Sequence, residues 1–272
     1  MAGGQFQIFR CHVAGAQAVQ ADSRHAFGRH THDQFGIGVI GKGAQKSASG
    51  QGIVEAGPGD TITVNPGEVH DGMPIGDAGR AWQMLYFDPP VVADAILDVT
   101  EGRTRSFEFA HPVMRDARLA QRFLTLFAAM TAAHAEHASV LREELLLTLL
   151  ADTMHGQTRS DTRGPGFAEI ALARRRIDDD SAAPLTLGEL ADECRLSRFQ
   201  FIRAFSRATG MTPHAYMIQR RIIAARHLIA RGMSLADAAA ASGFADQSHM
   251  TRIFVRTYGI SPSMYARACG AS

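Results

Sequence analysis

Cysteine is scarce: the 272 residues hold three, Cys11, Cys194 and Cys269. They are odd in number, far apart and form no C-x-x-C pair, which argues against a disulfide framework or a cysteine zinc site and suits reduced thiols in packing roles. Long apolar runs are missing too. None approaches the ~20 residues that span a bilayer, so no membrane partner is expected. The opening MAGGQFQIFRCHVAG carries Arg10 where a signal peptide keeps its apolar core, and a cytoplasmic protein is therefore expected. A Ser/His/Asp nucleophile set, a phosphate-cradling glycine loop and a CxxC…CxxC pattern are also lacking, so the chain is not expected to be an enzyme. At 46% hydrophobic content it can bury a sizeable core, and its length suits two domains.

The net charge of +1 conceals a division near GQTRSDTRGPG, residues 156–166. Up to Pro165 there are 14 Lys+Arg against 18 Asp+Glu, a net of −4; from Gly166 onward there are 14 against 9, a net of +5. All the cations of the second part are arginines, the side chain best suited to bidentate contacts with phosphate and guanine. Such asymmetry points to a nucleic-acid partner for the basic half, although a solvated basic face has the same composition.

That half contains a repeat. RAFSRATGMTPHAY at 203–216 returns as RIFVRTYGISPSMY at 252–265, an offset of 49, and TLGELA at 186–191 returns as SLADAA at 234–239, an offset of 48. Each unit opens with a capping-box pattern, Thr186 with Glu189 and Ser234 with Asp237. A second helix start follows in each, at Ser197 with Gln200 and at Asp246. In the second helices Phe201 and Phe205, then Met250 and Phe254, recur at i and i+4 and form the inward stripe. Gln200, Arg203 and Arg207, and in turn His249, Arg252 and Arg256, fall away from that stripe. Gly210 and Gly259 are helix stops, and Thr212-Pro213 and Ser261-Pro262 start the next helices. Between the units, apolar spacing through Ile218, Ile222, Ala225 and Ile229 predicts a connecting helix of roughly 19 residues and about 28 Å. Two helix-turn-helix units on such a spacer can set their second helices in successive major grooves of one DNA face, ~34 Å apart.

The stretch from LTLGELA to the final SPSMY, with GF-x-D-x-S-x-x-x-R-x-F-x-x-x-x-G-x-S-P-x-x-Y in its second unit, resembles the DNA-binding domain of AraC-type bacterial transcription regulators. Ala266 stands where that family usually has Arg, with Arg267 next to it. By position, the resemblance implies base-facing Phe199, Ile202 and Arg203 in the first recognition helix, and Gln247, Ser248, His249 and Arg252 in the second. Arginine pairs with guanine O6/N7 and glutamine with adenine, while Phe199 or Ile202 would meet a thymine methyl. Ser197, Arg198, Arg207 and Arg256 are assigned to phosphates.

The first half reads differently. QFGIGVI alternates around Phe35, Ile37 and Val39; GPGDTITVNPGEVH sets a turn before Ile62 and Val64; AWQMLYF places Trp82, Met84 and Tyr86 opposite Gln83, Leu85 and Phe87. Short strands and tight turns at this spacing predict a sandwich or jelly roll. H-T-H at 30–32 with PGDTITVNPGEVH ending at His70 resembles the cupin-type effector domain that precedes this DNA-binding domain in sugar-type AraC regulators. His30, His32 and His70 match three of the four ligands of metal-binding cupins, and imidazoles suit zinc, nickel or iron. The fourth, a Glu, is missing, with Gln34 or Gly36 in its region. No metal or other cofactor is therefore expected. The alternative is a pocket in which these histidines, with Trp82, Met84 and Tyr86, bind an organic effector, although a plain sandwich core would place the last three in the same way.

From 116 to 154 the period becomes helical. Leu119, Phe123, Leu126, Phe127 and Met130 form one stripe, and Val140, Leu141, Leu145, Leu146, Leu147, Leu149 and Leu150 make a band wider than one buried face needs. The resulting expectation is an α+β chain of two domains. A cupin-like effector-binding β-sandwich at 1–110 carries a helical dimerisation segment at 111–155; after a linker at 156–166 comes an all-α tandem helix-turn-helix domain at 167–272. The function expected is a ligand-responsive transcription regulator, an activator with double-stranded DNA, a small-molecule effector and RNA polymerase as partners, acting as a homodimer. The alternatives are a metal-dependent cupin enzyme fused to a DNA-binding module, and a constitutive dimeric DNA-binding protein.

Overall fold

The computed structural model describes residues 5–11, 13–50, 52–132, 139–154 and 167–270, with the side chains of 139, 140, 167, 168 and 199 left aside. The chain divides into two compact units, residues 1–158 and 159–272. The segment expected to be a linker, 156–166, lies outside the described residues. None of the described helices is long and apolar enough to cross a membrane.

Among the described residues of the first unit ten strands form two sheets: β1 (Gln5–Phe9), β2 (Ala16–Ser23), β3 (Phe27–His30), β4 (Phe35–Lys42), β5 (Gln45–Ser49), β6 (Gly52–Ala56), β7 (Thr61–Val64), β8 (His70–Pro74), β9 (Arg80–Phe87) and β10 (Val113–Met114). One sheet has the order β1-β2-β9-β4-β7-β10 and the other β3-β8-β5-β6, with antiparallel pairing throughout. Strand alternation sorts side chains to two faces. Phe35, Ile37, Val39, Leu85 and Phe87 pack against the helices α1 (Pro89–Val99), α2 (Ala117–Thr131) and α3 (Ser139–Met154) through Val92, Ile96, Phe123, Leu126, Leu149 and Leu150. Full burial of each such side chain contributes about 1.5–3 kcal/mol. On the opposite face Trp82 and Met84 cluster with Ala21, Ile40 and Ile62, and Phe27 and Tyr86 pack against them. Gly38 permits this layer. A Cβ there would lie 2.1 Å from Met84 Sδ and 2.3 Å from the Gln83 carbonyl oxygen.

Helix α1 goes beyond the sequence reading, which stops at strand Phe87. Pro89 and Pro90 hide it, although Pro at N1 starts helices and Val92, Ala95 and Ile96 are its buried face. Asp116 caps α2 through the Arg118 and Leu119 amides. In α3 the wide apolar band is shared out: Leu146, Leu149 and Leu150 are buried, Leu145 and Leu147 half-buried, and Leu141 is 49% exposed.

The second unit consists of α4 (Phe167–Asp179), α5 (Leu187–Glu193), α6 (Arg198–Thr209), α7 (Pro213–Ala230), α8 (Leu235–Ala241), α9 (Gln247–Tyr258) and α10 (Pro262–Ala268). The expected starts and stops are in place. Thr186 and Ser197 form capping boxes with Glu189 and Gln200. Thr212, Ser234, Asp246 and Ser261 cap α7, α8, α9 and α10. Asp237 accepts the Ser234 hydroxyl proton, so that box differs from the one expected. Gly210 and Gly259 end their helices in left-handed conformation, at φ 76 and φ 74. The repeated Phe and Tyr residues are core: Phe205 packs on Tyr216 at 5.5 Å and Phe254 on Tyr265 at 5.6 Å. The connecting helix α7 has 18 residues, and it packs against α4 and α6 of the first half and α8, α9 and α10 of the second. Helix α4 was not anticipated, although Ile170, Ala173 and Ile177 bury one face at helical spacing. Its Asp178 accepts the Tyr216 hydroxyl proton at 2.7 Å, which fastens it to α7.

Candidate functional site

In the first unit the sandwich brings three imidazoles together. His30 ends β3 and pairs across the sheet with His70, the first residue of β8, and His32 follows two residues after His30. Their ring centroids lie 4.4 Å (His30 to His70), 4.9 Å (His30 to His32) and 5.2 Å (His32 to His70) apart, and Tyr86 sits 5.1 Å from His32. His30 is buried, His32 and His70 half-buried. The other two residues expected around this pocket, Trp82 and Met84, lie on β9 on the same face as Tyr86. Trp82 meets Phe27 at 6.1 Å, Phe27 in turn lies 6.0 Å from His30, and Met84 is buried between the sheets.

The hydrogen bonds define the protonation of two rings. The Gly28 carbonyl lies 2.7 Å from His30 Nδ1 and the Glu68 carbonyl 3.1 Å from His70 Nδ1. A carbonyl only accepts, so both Nδ1 atoms carry hydrogen, and a neutral ring then keeps its lone pair on Nε2. Burial, aided by the neighbouring His70, pushes the His30 pKa down to about 3, and burial pushes His70 down to about 4. Both rings are neutral at pH 7. His30 Nε2 lies 3.1 Å from His32 Nε2, so His32 is the donor of that pair when no cation is present. Gln34 donates its amide to Asp88 at 2.8 Å, at the start of α1. The cluster can offer lone pairs to a cation or to ligand donors.

In the second unit the helices expected to read DNA are α6 and α9. Ser197, Arg198, Arg203 and Arg207 are exposed and Ile202 is half-buried. Phe199 lies on α6, its side chain outside the described ones. On α9, Gln247, Ser248, Arg252 and Arg256 are exposed, while His249 is half-buried with its ring edge-on to Phe244 at 5.4 Å. The inward stripes are complete: Phe201, Phe205, Met250 and Phe254 are all fully buried. Each helix therefore presents an arginine-bearing outer face on a packed base.

Residues 16–150 match the family described as AraC-like ligand binding domain, and residues 190–268 match the helix-turn-helix domain family. The chain belongs to the AraC-type transcription regulators. It is 27% identical over 232 residues to the uncharacterized HTH-type transcriptional regulator YbfI of Bacillus subtilis, covering 82% of this chain and 81% of that protein. With the probable transcriptional regulator LumQ of Photobacterium leiognathi it shares 26% over 246 residues, 90% of this chain and 93% of that one. Among solved structures, unsaturated-fatty-acid-bound ToxT from Vibrio cholerae has the same fold, with TM-score 0.56 at 12% identity over 98% of this chain and 95% of that chain.

In this AraC-type chain two arginines escaped the sequence reading. Arg80 is 2% exposed, with Gln45 Oε1, the His25 carbonyl and the Gly72 carbonyl accepting from its guanidinium and Trp82 beneath it at 4.7 Å. Its place on the Trp82, Met84 and Tyr86 parity was the available signal. Arg221 of α7 donates to the carbonyls of Ser181, Ala183 and Gly243, tying the connecting helix to the segment before the first helix-turn-helix and to the turn of the second. Among fourteen arginines nothing in the sequence singles it out.

Proposed function

We propose that this regulator reads two adjacent half-sites through α6 and α9, and that a small organic effector held at His30, His32, His70, Trp82, Met84 and Tyr86 governs that reading. The observation that carries the DNA side is the matched pair of outward arginines on buried stripes, Arg203 and Arg207 on α6 and Arg252 and Arg256 on α9. In this reading Ile202, Phe199, Arg203, Gln247, Ser248, His249 and Arg252 face bases, and Ser197, Arg198, Arg207 and Arg256 face phosphates. At ~1.5 Å per residue, the 18-residue α7 spans about 27 Å, which suits second helices in successive grooves. The segment 111–155 serves as the dimerisation segment: exposed Leu124 and Leu141 on α2 and α3 support a second copy as its partner. The domain limits proposed remain 1–110, 111–155, 156–166 and 167–272. Family membership supports activation in the cytoplasm with RNA polymerase as the further partner, and action by binding rather than by catalysis.

The test is a selection of genomic duplex fragments by the full-length protein at low salt, followed by a salt titration of the winning site. Binding should fall with salt at a slope of about −0.9 per phosphate contact. Retention of no fragment above bulk DNA overturns the proposal.

A further inference from the structure

We propose that Arg80 is the anchor for a carboxylate, so that the effector of this sandwich is a small organic anion with an aromatic or alkyl body. This rests on the effector-pocket reading above and names the chemical class that fills the pocket. Strand alternation puts Arg80 on the face of β9 that carries Trp82, Met84 and Tyr86, toward the space between the two sheets. Arginine is almost never fully buried without a partner charge. This one is 2% exposed, and its acceptors, Gln45 Oε1 and the His25 and Gly72 carbonyls, are all uncharged. No carboxylate among the described residues forms an ion pair with it. Asp71, beside Gly72, accepts from the Ala48 amide instead, and Asp77 is exposed.

The charge therefore stands uncompensated in a low-dielectric interior, where an unpaired ion is costly. Burial lowers the Arg80 pKa to about 10, which leaves the guanidinium cationic at pH 7. The carbonyl dipoles and the Trp82 ring, 4.7 Å away, offset part of the desolvation without neutralising the charge. His30 and His70 are neutral, and protonation would add charge of the same sign. A guanidinium has five N–H donors, so the three bonds leave two, one on each terminal nitrogen. Two such donors match the two oxygens of one carboxylate. Gly72 sets no side chain against them: a Cβ there would lie 3.4 Å from Arg80 Nη2. A tie between the sheets accounts for the three bonds, but not for the charge.

The walls beside Arg80 select the body of the ligand. Phe6 meets Trp82 edge to face at 5.8 Å, and Phe27 meets Trp82 at 6.1 Å and Phe6 at 6.3 Å. The guanidinium lies over two of these rings, 4.7 Å from Trp82 and 5.6 Å from Phe27. A carboxylate on Arg80 would thus carry its body along aromatic surface continued by Met84, Ile40 and Ile62. Such a wall rewards burial of an aromatic or alkyl group and offers little to the hydroxyls of a polyol. Phe6 and Phe27 are half-buried, so this part of the interior is reachable from solvent.

Trp82 is the single tryptophan of the chain, so its fluorescence reports on the site directly. The full-length protein is titrated with benzoate, phenylacetate and hexanoate and with the primary amide of each, and its affinity for the duplex selected above is measured with each compound. We expect at least one acid to shift the Trp82 emission saturably and to change DNA affinity. Its amide should bind about 10–150-fold more weakly, the range of a hydrogen bond to a charged group. Arg80→Gln should weaken the acid by at least about 30-fold, and Arg80→Lys, which keeps the charge without the fork, by less. Arg105→Gln, on exposed surface, should bind the acid as the wild type does. No acid that binds, an acid and amide that bind equally, or Arg80→Gln that binds the acid as tightly as the wild type overturns the proposal. The acid and amide are compared on the wild-type chain, so that result stands even where a variant fails to fold. Amides that bind as well as acids and change DNA affinity keep the effector pocket and overturn its anionic class. Acid binding that leaves DNA affinity unchanged keeps the carboxylate site and overturns the effector role.

Discussion

The two helix-turn-helix units meet the same backbone requirement with different residues. Between α5 and α6 the chain turns through left-handed Arg195 at φ 53; between α8 and α9 the equivalent residue is Gly243 at φ 77. The amide that follows bonds back identically, Leu196 to the Ala191 carbonyl and Phe244 to the Ala239 carbonyl, each at 3.0 Å. The second turn then spends one more residue before its N-cap, and that residue is why the repeat offset changes from 48 to 49. Gly243 is also hemmed in: a Cβ there would lie 2.9 Å from Ala182 Cα, and Arg221 holds its carbonyl at 2.8 Å. The caps differ as well, for Gln200 is spent on its own helix start while Gln247 and Ser248 stay at the exposed tip of α9. A duplicated fold thus has one turn locked from outside and one strained from within.

Gly243→Ala attacks the locked turn and should have the largest effect. A left-handed alanine costs about 1–2 kcal/mol and backbone overpacking about 1–3 more, so urea unfolding should show a loss of roughly 2–5 kcal/mol. A loss below 1 kcal/mol would mean that the Ala182 segment yields freely and that the turn is not locked.

Next comes Arg252→Ala, which should cost roughly 1–3 kcal/mol at the specific site and relax preference at one base pair. Arg203→Ala, the equivalent in the first unit, tests whether both units read sequence. Equal losses on every duplex for both would make the pair phosphate contacts.

Arg195→Gly should act in the opposite direction. Relief of the left-handed strain, about 1–2 kcal/mol, exceeds the added chain entropy of glycine, about 0.5–1, so stability should rise by roughly 0.5–1 kcal/mol. A drop in melting temperature would show that the Arg195 side chain makes up for its backbone.

Arg256→Ala should be the mildest, weakening all duplexes about equally and reducing the salt slope by about one unit. A base-specific loss there would reverse the roles given to Arg252 and Arg256.

Much of the second unit was legible because helix ends are written locally. Thr186, Ser197, Asp246 and Ser261 reach amides within three residues, and Gly210 and Gly259 stop their helices in place. The His30, His32 and His70 set was legible as residues, and strand parity placed Trp82, Met84 and Tyr86 on one face. Helix α1 was lost behind two prolines. Helix α4 was lost because, among its described side chains, three apolar residues, Ile170, Ala173 and Ile177, mark its buried side.

By itself the sequence determined the two-unit plan, the twofold repeat with its caps, and the alternating strands, because each depends on residues a few positions apart and on backbone chemistry shared by all chains. Only tertiary structure decided which of many like residues act together. His30 and His70 become neighbours through strand pairing across forty residues of chain, and their tautomers follow from the carbonyls of Gly28 in β3 and of Glu68 in the turn before β8. Arg221 becomes the tie between turns only when α7 lies against both. The physical reason is range: capping and periodicity act within a turn or two, whereas burial, ring contacts and guanidinium bridges arise where distant segments pack, and no local pattern records that meeting.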